Sequence, residues 1–361
     1  MEVLEAMPVG AIAAVIGVIA GLVLGLAARF GGFGTLSALR AAAELGDQRR
    51  VRLWGIVIGV AIVASFALDT LGYARIAATP YHAQGWYPVA VVLGGLTFGY
   101  GMALAGSCGF EALVRAGAGD LRALVIVAVL GIAALAVTSG PLAGLKAMAV
   151  AATPLVAPTG IAQWLSGQIG LSPFFFAVIL AACLIASGLS YLPLRRSPAR
   201  LLWGVAVGLT IAGCFAATTW LNASTIGRMP VDGPSFATAL GQGLLALMTP
   251  PEGSLSFAAG LTGGVLLGAF LGALFRGFFR ASELDEPLSL GRIVSGAALM
   301  GFGGALAGGD LVGQGMTGMA VLAWTAPVAM VSILAGCALG HRWVATAAPA
   351  APEGDLAAGE Y

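Results

Sequence analysis

Gly99–Cys108 reads GYGMALAGSC, and Gly301–Asp310 reads GFGGALAGGD. The two strings align without a gap at a spacing of 202 residues and share the frame Gly-x-Gly-x-Ala-Leu-Ala-Gly. Each closes an apolar segment and opens a glycine-rich one, GFEALVRAGAG after the first and LVGQGMTG after the second. A repeated apolar helix that ends in small residues predicts two half-molecules facing each other in a membrane. The copies part at their last position, Cys108 in one and Asp310 in the other.

Composition sets the solvent. Charged residues make up 9% of the chain and its mean hydropathy is +0.97, so a water-soluble surface cannot be assembled from it. Its 55 glycines fit membrane helices, where glycine lets backbones approach closely. The net charge of +1 points to no partner of either sign, and no segment reads as nucleic-acid-binding. Cys108, Cys183, Cys214 and Cys337 lie far apart in apolar segments, neither a disulfide framework nor a metal pattern. The ordinary reading of the last three is small buried apolar residues. No HExxH, CxxC, Walker or dinucleotide motif stands in its proper context, so the sequence implies no cofactor, no metal and no enzyme chemistry. The first apolar run lacks the basic start and the cleavage site of a signal peptide.

Runs of about 17 to 23 apolar residues predict spans. They fall near 11–28, 55–72, 87–106, 121–138, 174–192, 201–221, 256–275, 292–308 and 317–339. The stretches 141–170 and 233–250 are broken by Pro, Gly and Gln and read as surface-lying or re-entrant pieces. The basic residues test this reading independently. Loops after the odd spans carry 14 of the 17 Lys and Arg, among them Arg49, Arg50, Arg195, Arg280 and Arg342. The other loops hold Arg75, Lys146 and Arg228. The positive-inside rule makes the first set cytoplasmic, with the N-terminus outside and the C-terminus inside.

With that topology the third span runs inward to Cys108 and the eighth runs outward to Asp310. One phrase pointing two ways is an inverted repeat. Its parts are spans one to four (1–148), a re-entrant segment and linking span (149–192), spans six to nine (193–345) and a disordered Ala/Pro/Gly tail (346–361). The fold class is an all-α membrane protein of about nine transmembrane helices, with re-entrant or broken helices forming an hourglass pathway. Irregular backbone at membrane depth must be buried or line a cavity. The alternative is tight interhelical contact of small residues at both strings. Such contact does not explain a thiol and a carboxylate at one repeat position. His82 and His341 read as solvated loop residues, and Glu111 as a carboxylate beside Arg115.

These residues resemble the YeeE/YedE sulfur-transport family. Gly101–Leu121 (GMALAGSCGFEALVRAGAGDL) is similar to its first signature, a Gly-Cys pair followed by an Arg and a Gly-rich turn. Gly303–Gly318 (GGALAGGDLVGQGMTG) is similar to its second, usually Gly-Gly-Cys, then Gly-Gln-Gly. Arg29–Arg40 (RFGGFGTLSALR) resembles its N-terminal element, which usually carries Phe-Cys. The resemblance implies an hourglass-shaped inner-membrane protein that passes thiosulfate along cysteines in a constriction. Of those cysteines this chain keeps Cys108. Gly34 and Asp310 stand at the other two positions.

The expected pathway is therefore Cys108 and Asp310 with Gly34, Gly106, Ser107, Gly109, Gly308, Gly309 and Gln314, and further Glu111 and Arg115. Uncovered N–H groups at glycines can replace the water that a sulfur oxyanion sheds. A thiol holds sulfur softly, and conduction needs weak successive sites. An ionised Asp310 repels such an anion, whereas a protonated one donates to it. The expected function is a permease for thiosulfate or a related small sulfur-containing anion, with a cytoplasmic sulfur-carrier or sulfurtransferase protein as a partner. The alternative is a non-transporting membrane subunit or sensor that retains the fold without the cysteine relay.

Overall fold

The computed structural model describes residues 8–44, 46–83, 87–151, 160–249, 255–276 and 289–347. Among these residues there is no strand, and nine helices have 17 residues or more. They are α1 (Val9–Gly31), α2 (Arg49–Thr70), α3 (Pro88–Ala105), α4 (Leu121–Thr138) and α5 (Pro173–Leu189), then α6 (Pro198–Ser224), α7 (Phe257–Arg276), α8 (Leu290–Ala307) and α9 (Thr325–Ala347). By length and composition seven of these helical stretches can cross a membrane. The 17-residue α5 packs on α2, and α9 packs on α3. Outward-facing Leu124, Ile132, Leu209, Leu267 and Leu274 are exposed, as lipid contact requires. This is a multi-pass all-α membrane protein.

Proline opens α3, α5 and α6, where a missing N–H costs nothing and φ is already helical. Small residues then decide which helices touch. Gly17, Gly21 and Gly25 of α1 meet Gly260, Gly264 and Gly268 of α7 in register. A Cβ added at Gly21 would lie 2.3 Å from the Leu261 carbonyl oxygen, so only glycine permits this approach. Both residue numbers rise together, which makes α1 and α7 parallel. By the same reading α3 is antiparallel to α8, with Gly94 at Gly303 and Gly101 at Gly296, and parallel to α9, with Gly95 at Ala329 and Gly99 at Ile333. On α2, Gly59 lies at Ala181 of α5 while Arg52 lies at Gly188, an antiparallel pair. Gly204 and Gly208 of α6 follow Leu53 and Val57 of α2 in parallel. Every one of these pairs fits strict alternation of odd and even helices.

The structure differs from the expected spans in places. Helix α2 begins at Arg49, because the Arg-rich turn joins the helix. Helix α9 begins at Thr325 and not near 317, because Gly313–Gly318 forms a separate π-helical turn. The stretches expected to be surface-lying or re-entrant hold short helices at Ala143–Ala151, Ile161–Ile169 and Ala239–Met248. Arg280 and residues 348–361 of the tail lie outside the described residues.

Candidate functional site

Two helices break in the same way. Helix α3 stops at Gly106, whose φ of 70° is the left-handed conformation that favours glycine. Ser107 and Cys108 bridge to a short helix, Gly109–Gly117, and the Cys108 Sγ accepts the Glu111 N–H at 3.4 Å. Helix α8 stops at Gly308, with φ 71°. Gly309, Asp310, Leu311 and Val312 bridge to Gly313–Gly318, and the Asp310 Oδ1 accepts the Gly313 N–H at 3.0 Å. Thiol and carboxylate thus cap equivalent turns in two segments that run in opposite directions.

Cys108 is buried and hydrogen-bonded to Thr35 Oγ1. This contact draws in the N-terminal element. A Cβ added at Gly34 would lie 3.2 Å from Glu111 Oε1. Phe33 meets Phe110 edge-on, and Phe110 lies 5.0 Å from the ring of Phe236. Phe236 leads to the second break, since its N–H donates to Asp310 Oδ1 at 2.9 Å. Ser235 Oγ lies 3.5 Å from the same oxygen. Oδ1 is therefore committed as an acceptor, and buried Oδ2 has no partner among the described residues. Gln314 clasps this break. Its Nε2 donates to the Ala307 and Gly308 carbonyls at 3.1 and 3.3 Å, and its Oε1 accepts from Thr325 at 3.1 Å.

Arg115 sits apart from Glu111. Its guanidinium donates to Asp120 Oδ2 at 2.9 and 2.5 Å, while Asp120 Oδ1 caps α4 through the Arg122 and Ala123 N–H groups. Burial alone would push the Asp120 carboxyl up, but the Arg115 charge and these hydrogen bonds hold it below the usual carboxylate range. Glu111 Oε2 is buried without a partner. Helical spacing does put Glu111 and Arg115 on one face, but Asp120 offers the guanidinium a better-held acceptor.

Neither histidine lies in a loop. His82 lies in the short helix Pro80–Ala83, with Nε2 3.0 Å from the Val321 carbonyl oxygen. Burial holds its imidazole below the ordinary value, against the opposing pull of that carbonyl and of Asp69. His341 lies on α9. Cys214 and Cys337 are buried, whereas Cys183 is exposed.

Two cavities approach the breaks. One, of about 260 Å³, is lined by Tyr81, Lys146, Asp232, Ser235, Gly308 and Gln314 among others. The other, of about 500 Å³, is lined by Thr35, Ala38, Arg52, Trp54, Met330 and Leu334 among others. The first reaches the Gly308–Gln314 break, and the second reaches Thr35, the partner of Cys108. Sequence reasoning missed Tyr81, Lys146 and Asp232. The available signal was charge in the wrong place: Lys146 is one of three basic residues on the cation-poor side.

Among the described residues, no group of three or more His, Cys, Asp or Glu is placed to hold a metal. The site offers instead a buried thiol and a buried carboxylate, each one hydrogen-bonded neighbour away from a cavity wall: Thr35 beside Cys108 and Ser235 beside Asp310. A family model described as sulphur transport matches residues 30–339. The chain is 25% identical over 329 residues to the thiosulfate transporter TsuA of Escherichia coli K12, covering 89% of this chain and 91% of that one. It is 24% identical to the thiosulfate transporter TsuA of Spirochaeta thermophila, covering 89% and 96%.

Proposed function

Because the chain belongs to the sulphur transport family, we propose that it is a permease for a small sulfur-containing anion, thiosulfate or a close relative. It is a transporter and not an enzyme. The carrying observation is the pair of equivalent breaks, with Cys108 and Asp310 each capping a turn, one cavity reaching Thr35 beside Cys108 and the other reaching Ser235 and Gly308 beside Asp310. The path runs from the cavity at Gly308 and Gln314, past Asp310 and Cys108, to the cavity at Thr35. The two TsuA relatives, similar over about nine-tenths of the chain, support thiosulfate as the substrate.

The chemistry suits an anion that must be held weakly. Thiol and hydroxyl groups replace part of its hydration without the grip of a paired cation. Among the described residues the ion pairs are Arg49–Asp47 and Arg115–Asp120, so neither Cys108 nor Asp310 faces a fixed positive partner. The repeat halves, residues 1–148 and 193–345, supply one break each. The protein sits in the plasma (inner) membrane with its N-terminus outside, and the released anion passes to a cytoplasmic sulfurtransferase or sulfur-carrier protein.

Purified protein reconstituted in liposomes, supplied with labelled thiosulfate, tests the reading directly. Uptake that exceeds that of empty liposomes and is competed by unlabelled thiosulfate is expected. Absence of uptake of thiosulfate, sulfite and sulfate would leave a non-transporting sensor or subunit. Reporter fusions after residues 200 and 230 test the orientation, with the first expected inside and the second outside.

A further inference from the structure

Among the described residues, the cavity at the Gly308 break is lined by one cation and one carboxylate, Lys146 and Asp232. They line the same space of about 260 Å³ yet form no ion pair within 4 Å. Asp232 is placed through its backbone: its N–H donates to Thr218 Oγ1 at 3.2 Å, and its carbonyl accepts from that hydroxyl at 3.0 Å. The remaining titratable groups on the walls, among the described residues, are Tyr81 and Tyr87, and Asp310 lies behind Ser235. Tyr81 donates to the Gly313 carbonyl at 2.8 Å. Burial pushes its phenol far up, and Asp232 and Asp310 add to that push, so it stays neutral.

We propose that Asp232 is the proton-binding residue of this cavity. An oxyanion settles beside Lys146 as the Asp232 carboxylate takes up one proton from the adjoining water, so anion and proton bind together. This rests on the permease reading above and assigns the cavity a linked ligand.

With both groups ionised, their charges cancel and an entering dianion faces a like charge across a narrow space. Once Asp232 is protonated, the cavity carries the charge of Lys146 alone, and Asp232 gains an O–H that can donate to the anion. The carboxyl is close to that state without any ligand: burial pushes it up to about 6. An arriving dianion raises it further, and the proton follows. Burial also pulls the Lys146 ammonium below its ordinary value, which sets an upper pH limit to capture.

The test is thiosulfate binding to the purified full-length protein in detergent, by calorimetry, between pH 5.5 and 8. Thiosulfate remains a dianion throughout. Affinity is expected to fall about tenfold per pH unit above the Asp232 value, with about one proton taken up per anion in buffers of different ionisation heat. Asp232→Asn is expected to bind at pH 8 as tightly as wild type does at pH 5.5, with no proton uptake. Asp232→Ser repeats the test should the amide fold poorly. Lys146→Gln is expected to lose at least tenfold in affinity at every pH. If Asp232→Asn and Asp232→Ser keep the wild-type slope, the proposal fails while the permease reading stands. If Lys146→Gln binds as wild type does, the anion sits elsewhere and the proposal fails. If neither wild type nor the Asp232 variants bind thiosulfate at any pH, the proposal fails, and the liposome uptake of thiosulfate, sulfite and sulfate decides the permease reading separately.

Discussion

Cys108 Sγ and Asp310 Oδ1 do the same structural job 202 residues apart: each accepts the backbone N–H three residues further on, at 3.4 and 3.0 Å. A helix start leaves N–H groups without partners, and a side-chain acceptor at its cap removes one of them. The sulfur is the weaker acceptor of the two. The cap at Cys108 is therefore the weaker of the two, and the cap at Asp310 is made by a carboxylate.

From this difference, Cys108→Ala should lower thiosulfate uptake at least tenfold at equal expression. It removes both the soft contact for sulfur and the cap, although an alanine fits the space. Cys108→Ser keeps a cap and should retain more uptake than the alanine variant. Cys183 is exposed, so Cys183→Ala should leave uptake unchanged. Initial rates in liposomes check all three, and wild-type rates in Cys108→Ala would remove the thiol from the path.

Asp310 should tolerate an amide and not a methyl group. Asn keeps an oxygen for the Phe236 and Gly313 N–H groups, so Asp310→Asn should fold and transport. Asp310→Ala orphans two buried donors. Loss of a cap costs about 0.5–2 kcal/mol and each orphaned donor about 1–3 kcal/mol, so a clear drop in melting temperature is expected. Asp310→Cys places a second soft acceptor at the equivalent position and should speed thiosulfate flux over wild type. An Asp310→Ala protein that melts as wild type would show that the capping bonds carry no stability.

The helical frame was legible because its cause is local. Apolar run length, alternation of Arg-rich loops and glycine spacing survive in a single sequence, and the contacts of Gly17, Gly94 and Gly204 agree with the directions those signals imply. The repeat also located both breaks, since a left-handed glycine followed by a capping residue is a short-range pattern. What stayed hidden depends on distant partners. Glu111 and Arg115 share a helical face, but a better acceptor, Asp120, comes from the next turn of chain. His82 looked like a loop residue until the Val321 carbonyl closed on it. The cavity that joins Lys146 and Asp232 unites segments that no spacing rule connects.

Asp120 makes a stability prediction with a definite pH sense. Its carboxyl lies below the usual carboxylate range in the folded protein, so the stabilisation it provides is fully present above that range. It is lost as pH falls through the folded-state value. Asp120→Ala removes the α4 cap and strands the Arg115 guanidinium, a loss of about 2–4 kcal/mol at neutral pH. Asp120→Asn keeps the cap and should lose less. Thermal melts in detergent at pH 7 and near pH 3 should show the gap between wild type and Asp120→Ala narrowing in acid. A gap of constant size would show that the carboxylate charge contributes nothing.

The glycine contacts give the sharpest test of the helix packing, because glycines on the same kind of helix meet opposite surroundings. A Cβ at Gly99 would stand 1.9 Å from the Ile333 carbonyl oxygen and 2.7 Å from the Cys337 nitrogen, both backbone atoms of α9. Neither can move away as a side chain would, so α3 and α9 must part along their shared face. Gly21 meets the α7 backbone in the same way. At Gly213 on α6 and Gly263 on α7 an added Cβ meets nothing within 4 Å. Overpacking of this kind costs about 1–3 kcal/mol or more, whereas Gly→Ala in an open helical position gains about 0.4–1 kcal/mol. Gly99→Ala and Gly21→Ala should therefore lose folded protein on size-exclusion chromatography and melt lower. Gly213→Ala and Gly263→Ala should match or exceed wild type. If all four variants behaved alike, α3–α9 and α1–α7 would not be in backbone contact, and the helix directions read from those contacts would have to be abandoned.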